Sequence, residues 1–334
     1  MISPRFAYAV DTGAFDLSDD ASIVLLEPPA DVDLVGVSPA RVTIQQNFKP
    51  TFDVLANHGA TMTNAATEPA DVVHVTLPRS RELARGLISQ AVALAKGGTV
   101  IIDGAKTDSI DAILKAANAK VDVKGQASKA HGKIFWFASA DGFEDWALAD
   151  PAPVTDGWVT QPGVFSADGP DAGSKALIAA LPAKLKGHGA DLGGGWGFLT
   201  HHALKTDGVT QIDLVEADKR ALTCAERNIS DDRVTFHWAD ATSWGAKSTL
   251  DWIVCNPPFH TSRTPDANLG QAFIRSAARL LKPNGSLYLV ANRHLPYETV
   301  LAESFKRVQE LDGDRRFKVV QADQPKPSQR LRSR

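Results

Sequence analysis

The chain is short of several things, and each shortage closes off a class of function. It has only two cysteines in 334 residues, Cys224 and Cys255. Two thiols are too few for a cysteine-rich zinc cluster or a disulfide framework, so no metal is expected. Met1 to Asp20 mixes charge with short apolar stretches and contains no signal-peptide core. Together these point to a reducing, cytoplasmic setting. Nowhere does an apolar run approach the ~20 residues of a membrane-spanning helix, so no membrane is expected as a partner. Short-period repeats and low-complexity tracts are missing as well.

A surplus of positive charge is also lacking: 36 Lys and Arg stand against 39 Asp and Glu, a net charge of -3. Phosphate contacts depend on clustering more than on the total. One cluster exists near the C-terminus, formed by Lys306, Arg307, Arg315, Arg316, Lys318, Lys326, Arg330, Arg332 and Arg334. It reads either as a solvated, frayed tail or as a surface for RNA.

What is present is an ordinary globular composition, 43% hydrophobic and 22% charged. At one domain per ~150 residues the length predicts two domains, each able to bury a core unaided. In the first half, Val72 to Leu77 is strand-like and closed by Pro78. Glu82 to Lys96 has helical spacing and is stopped by Gly97 and Gly98, and Thr99 to Ile102 is the next strand. A helix over Asp108 to Ala119 and a strand over Lys133 to Phe137 follow. Asp150-Pro151-Ala152-Pro153 is the candidate linker, which predicts domains at 1–153 and 154–334. The second half repeats the alternation. Strands are expected at Gln211 to Val215, Val234 to Trp238, Trp252 to Cys255 and Ser286 to Val290. Helices are expected at Lys219 to Asn228 and Ala267 to Leu281. This pattern predicts an α/β protein with mostly parallel sheets covered on both faces.

Only the second half carries a glycine cluster, Asp191-Leu192-Gly193-Gly194-Gly195-Trp196-Gly197, at a strand-to-helix turn. Glycine there lets the backbone take positive φ and pass close to a ligand. The dinucleotide fingerprint fails, because its third glycine position is Phe198, and no Walker sequence follows. An opening acid suits a cationic ligand without phosphates, although taken alone the cluster is also simply a tight turn. Glu216 falls 23 positions after Gly193 at the next strand end, where a carboxylate can accept both ribose hydroxyls of an adenosine. Asp240, with Ala241 beside it, follows the third strand and is expected to face the adenine.

The sharpest signal is Asn256-Pro257-Pro258-Phe259 at the end of an apolar strand. The prolines cannot continue the ladder and fix a rigid turn. The Asn256 side-chain oxygen and the Pro257 carbonyl can then both accept hydrogens from one exocyclic amine. That orients the amine for attack on a sulfonium methyl and favours the charge that builds on nitrogen. Phe259 offers a ring on which a planar base can stack.

Taken together, the glycine turn, the strand-end acid, the later Asp and Asn-Pro-Pro-Phe resemble a class I methyltransferase acting on amines. More narrowly, residues 158 to 320 resemble the bacterial tandem-domain ribosomal RNA guanine-N2 methyltransferases of the small-subunit type. The shared stretches are Pro162-Gly163-Val164-Phe165-Ser166 through Asp171 and Ser174, Asn256 to His260, Val290-Ala291-Asn292, Leu295-Pro296-Tyr297 and Arg316 to Val319. The resemblance implies two tandem Rossmann-like methyltransferase domains, the first degenerate and supporting substrate binding, and S-adenosylmethionine as cofactor. It also implies ribosomal RNA or the small subunit as partner and a protein acting as a monomer. The first half agrees, having no glycine cluster and ending its strand at Leu77-Pro78-Arg79-Ser80. Lys318, Arg316, Arg293 and Arg263 are candidate phosphate contacts. The competing readings are methyl transfer to another planar amine, such as large-subunit guanine, adenine N6, a protein Gln or a small molecule, and a silent binding protein of the same fold. A hydride-transfer enzyme is disfavoured by the missing fingerprint.

Overall fold

A computed structural model describes residues 2–258 and 267–327. The chain divides into two compact units, Met1–Asp150 and Pro151–Arg334. In the first unit the strands are β1 (Ile23–Leu26), β2 (Val42–Gln45), β3 (Thr61–Thr63), β4 (Val72–Thr76), β5 (Thr99–Ala105), β6 (Val123–Lys129) and β7 (Gly132–Ala138). They form one sheet in the order β3-β2-β1-β4-β5-β7-β6. The first five run parallel, and β7 is antiparallel to both β5 and β6. Its helices are α1 (Pro4–Asp11), α2 (Lys49–Leu55), α3 (Arg81–Leu94) and α4 (Ile110–Asn118).

The second unit opens with a short hairpin, β8 (Ala152–Pro153) against β9 (Val159–Thr160). The Pro-rich segment read as a linker is therefore partly built into this unit. Its main strands are β10 (Lys184–Leu192), β11 (Asp207–Glu216), β12 (Val234–Trp238), β13 (Leu250–Cys255), β14 (Leu281–Asn292), β15 (Phe305–Gly313) and β16 (Phe317–Pro325). The order β12-β11-β10-β13-β14-β16-β15 repeats that of the first unit, strand for strand. The helices are α5 (Ala172–Ala180), α6 (Phe198–Ala203), α7 (Lys219–Asn228), α8 (Ala267–Leu280) and α9 (Glu298–Ser304).

The central strands of both sheets are buried on both faces, which is why they read as near-continuous apolar runs. In β13, Ile253 and Cys255 pack into one core with α8, while Trp252 and Val254 alternate into the opposite core. In β1, Val24 and Leu26 face one core and Ile23 and Leu25 the other. Local capping agrees with this arrangement. Ser80 Oγ accepts from the Leu83 amide at 3.3 Å to start α3, and Asp218 accepts from the Arg220 amide at 2.9 Å to start α7. Where α8 meets α9, a Cβ on Gly270 would stand 1.8 Å from the Tyr297 phenol oxygen, so no side chain fits there.

Cys224 and Cys255 are both buried. Burial pushes the Cys224 thiol up to about 11 and the Cys255 thiol well above its ordinary value. Among the described residues no helix is long and apolar enough to cross a membrane, and no cluster of His, Cys, Asp and Glu is arranged to hold a metal.

Candidate active site

Parallel strands deliver their carboxyl ends to one edge of the sheet, and in the second unit the expected residues collect there. Asp191, fully buried, is the penultimate residue of β10. Its Oδ2 accepts from the Thr200 amide at 3.0 Å and the Thr200 hydroxyl at 2.8 Å, tying the strand end to the first turn of α6. Its Oδ1 is buried and has no hydrogen-bond partner among the described residues. Gly193 and Gly194 both donate to the Val215 carbonyl, at 2.9 and 3.1 Å. Gly193, Gly195 and Gly197 have φ of 73, 55 and 93°, values that L side chains rarely adopt. A Cβ on Gly194 would stand 2.6 Å from Leu214, whereas one on Gly195 would meet nothing within 4 Å. The loop is packed on its inner side and open above Gly195.

Glu216 closes the other side of the loop. Its Oε2 accepts from the Gly195 amide at 2.8 Å and its Oε1 from the Asp218 amide at 2.7 Å. Part of the side chain stays accessible, but its carboxyl is surrounded by protein. Desolvation pushes Glu216 and Asp191 each up to about 7, against the opposing pull of the N–H groups they accept from. Asp240 follows β12, and its Oδ1 accepts from the Thr242 amide and hydroxyl at 2.8 and 2.7 Å. Ala241 is buried, and its carbonyl accepts from Ser276 at 2.7 Å. Asp240 and Ala241 thus occupy the third strand end, outside the recess that the glycine loop forms with Asn256.

Asn256 leaves the end of β13 beside that recess. Its Nδ2 donates to Asp171 Oδ2 at 3.1 Å and to Ser174 Oγ at 2.9 Å. Both amide hydrogens are thereby used, and Oδ1 is left buried and without a partner among the described residues. Asp171 is also the N-cap of α5, accepting from the Ser174 amide at 3.0 Å. Pro257 is buried and Pro258 exposed. Phe259 lies outside the described residues, as does Arg263. The recess shared by Asn256, Asp171, Ser174, Phe165 and Gly193 to Trp196 is narrow, about 40 Å³, room for one reacting group rather than a whole nucleoside.

Asp171, Ser174 and Phe165 carry no motif of their own, and sequence reasoning met them only inside a matching stretch. Trp196, the bulky residue in the glycine loop, is buried and donates from Nε1 to the Phe165 carbonyl at 3.0 Å. Its ring lies 5.1 Å from that of Trp158, so it anchors the segment that carries Phe165. One expectation is overturned: Lys318 is not a phosphate contact. Its side chain is buried, with Nζ donating to the Leu295 carbonyl at 2.8 Å and paired with Glu298. Leaving those partners for solvent would abandon a buried carbonyl. Arg293 is engaged with Glu310 at 2.8 Å and the Asp314 carbonyl at 2.6 Å, while Arg316 is exposed beside the Phe317 ring.

A glycine turn, two desolvated acids and a polar acceptor at consecutive parallel strand ends define a class I, S-adenosylmethionine-dependent methyltransferase. The residues present fit that cofactor: the orphaned Asp191 oxygen and the acids around the loop suit a cation, and the space over Gly195 admits one. Comparison with known proteins agrees. Residues 157–321 match the Methyltransferase small domain family. The protein named ribosomal RNA small subunit methyltransferase C of Hahella chejuensis is 29% identical over 320 residues, covering 90% of this chain and 93% of its own. Its namesake in Shewanella pealeana is 28% identical over 260 residues, 75% of this chain and 76% of its own. A solved T. thermophilus 16S rRNA N2-guanine methyltransferase, in complex with AdoMet and guanosine, superposes with a TM-score of 0.76. It is 24% identical and covers 92% of this chain and 90% of that one. The second unit thus carries a Methyltransferase small domain, and the chain is similar to the small-subunit ribosomal RNA methyltransferases along most of its length.

Proposed function

We propose that the chain transfers a methyl group from S-adenosylmethionine to the exocyclic N2 amine of a guanine in small-subunit ribosomal RNA, and that the second unit alone carries the chemistry. The observation that carries this reading is the Asn256 side chain, whose Nδ2 is held by Asp171 and Ser174 while Oδ1 stays unpartnered. A neutral acceptor fixed at a strand end recognises an amine that must lose hydrogen-bonding freedom before it reacts.

Asn256 Oδ1 and the Pro257 carbonyl each accept one N2 hydrogen and set the nitrogen lone pair towards the cofactor. The cofactor supplies an electrophilic methyl on a sulfonium. As the nitrogen gains positive charge, the two acceptors stabilise it without reorganising. Asp191, Gly193, Gly194, Gly195, Gly197, Glu216, Asp240 and Ala241 form the cradle, and Phe259 supplies a stacking face for the base. The base must leave its stack to reach this corner. The first unit supports substrate binding and performs no transfer.

The deciding experiment supplies labelled S-adenosylmethionine with unmodified small subunits and with naked ribosomal RNA, then digests the product to nucleosides. N2-methylguanosine is the expected product. Label in N6-methyladenosine, or in protein, would assign the same site to a different amine.

A further inference from the structure

Beside the reaction corner lies a much larger recess, about 640 Å³, which no residue of the proposed methyl-transfer machinery lines. Its walls come from α5, α6, α7 and the segment entering β9. Lys175, Lys205 and Arg227 line it, with Asp156 as the only acid among the described lining residues. The chain as a whole is acidic, so three cations around one concavity are a local departure. Aromatic surface accompanies them. Half-buried Trp158 lies 4.9 Å from His201, edge-on, and 6.2 Å from His202 with ring planes 30° apart. Burial, helped by nearby Lys205, holds the His201 imidazole below its usual pKa and so uncharged at neutral pH.

The recess adjoins the site. Phe198 lines both cavities; Lys175 directly follows Ser174, and Pro170 directly precedes Asp171. One thin wall therefore separates the cations from the residues that hold Asn256. The volume falls within the ~300–1,000 Å³ of small-molecule sites and takes one nucleotide comfortably. Cations answer a phosphate, and flat aromatic rings answer a base, whichever base it is.

We propose that this recess is a second nucleotide subsite, holding the phosphate and base of a nucleotide that flanks the target guanine in the RNA strand. The inference rests on the reading of the chain as a ribosomal RNA methyltransferase and extends it. A strand with one base in the reaction corner lays its neighbour across the shared wall. Capture there raises the local concentration of substrate without touching the methyl-transfer step.

The test is the triple variant Lys175→Gln, Lys205→Gln and Arg227→Gln, against a control with Lys184→Gln and Lys247→Gln, exposed positions of the second unit outside both recesses. The readouts are cofactor affinity, kcat and KM for methyl transfer to unmodified RNA, and the dependence of RNA affinity on salt. The triple variant should raise KM about 10- to 100-fold, leave kcat and cofactor affinity unchanged, and reduce the salt slope by about two units. The control should change none of these. In wild type, photocrosslinking of RNA carrying a thiolated base beside the target should label Trp158 or the α6 histidines. Equal KM and equal salt slope in the triple variant, with a wild type that methylates normally, would overturn the subsite alone. A wild type that methylates no ribosomal RNA would overturn the underlying reading and the subsite with it.

Discussion

The two units share one sheet order and differ in how they treat a buried acid. In the first, Asp103 on β5 is buried but surrounded by its own partners: Arg5, Ser3 and, at 3.4 Å, His74. Burial alone would raise its pKa; these neighbours outweigh it and hold the carboxyl below its ordinary value. In the second, Asp191 and Glu216 have no cationic partner among the described residues, and burial drives both up to about 7. Strand register makes the contrast local. Leu26 pairs with Val75 and Asp191 with Val254, each two residues before the next loop begins at Leu77 or Asn256. The position of Asp191 is therefore filled by Leu26, and those of Gly193 and Gly194 by Pro28 and Pro29. A unit that completes its own charges has no need of a cation; one that leaves buried carboxyls uncompensated beside an open glycine loop does.

The harshest way to break this contrast is to give the second unit the first unit's loop. Gly193→Pro with Gly194→Pro forces a fixed negative φ where 73° is needed and removes two N–H groups that donate to Val215. Equilibrium dialysis should find no measurable cofactor binding in a protein whose sheets still melt cooperatively. Retained binding would mean that the loop is not the cradle.

Next in size is Asn256→Ala, which deletes the oriented acceptor and should cost at least ~10²-fold in kcat with cofactor affinity near normal. Single-turnover methyl transfer separates the two, and an unchanged rate would move the amine site elsewhere.

The smallest effect is a pH dependence. Asp191 and Glu216 titrate near 7 when folded and near 3.8 and 4.5 in their ordinary state. The folded apoprotein therefore binds more protons than the unfolded chain between these values, and its stability falls as pH rises from about 4 to about 7. A cationic ligand favours the ionised carboxyls, so affinity should rise about three- to tenfold between pH 6 and 8 with release of protons. Calorimetry in buffers of different ionisation enthalpy reads that release, and a pH-independent affinity would refute it. Asp103, being lowered, acts with the opposite sign: its contribution is lost on acidification.

Much of this was legible in the residues because strong periodicity and unambiguous stops carry it. The helix expected at Lys219 to Asn228 and the strand at Val234 to Trp238 have those limits in the structure, and Gly193 to Gly197 stands at its strand-to-helix turn. Less legible were β2 and β3, short strands with mixed polarity whose identity comes from their neighbours. Asp171 and Ser174 were met as sequence, but their grip on Asn256 spans 85 and 82 positions, a relation that no local pattern encodes. Lys318 failed for a related reason. Composition showed a cation in a basic stretch, and only the packing of β16 shows that its ammonium group points inward.

The two buried thiols have a practical consequence for watching this protein at work. Cys224 and Cys255 are buried, and their raised pKa values keep them protonated at neutral pH, the unreactive form towards maleimides and disulfides. The wild-type chain is thus nearly blank to thiol chemistry. A single cysteine placed on its surface gives one addressable point for a fluorophore or spin label, with no native thiol to remove first.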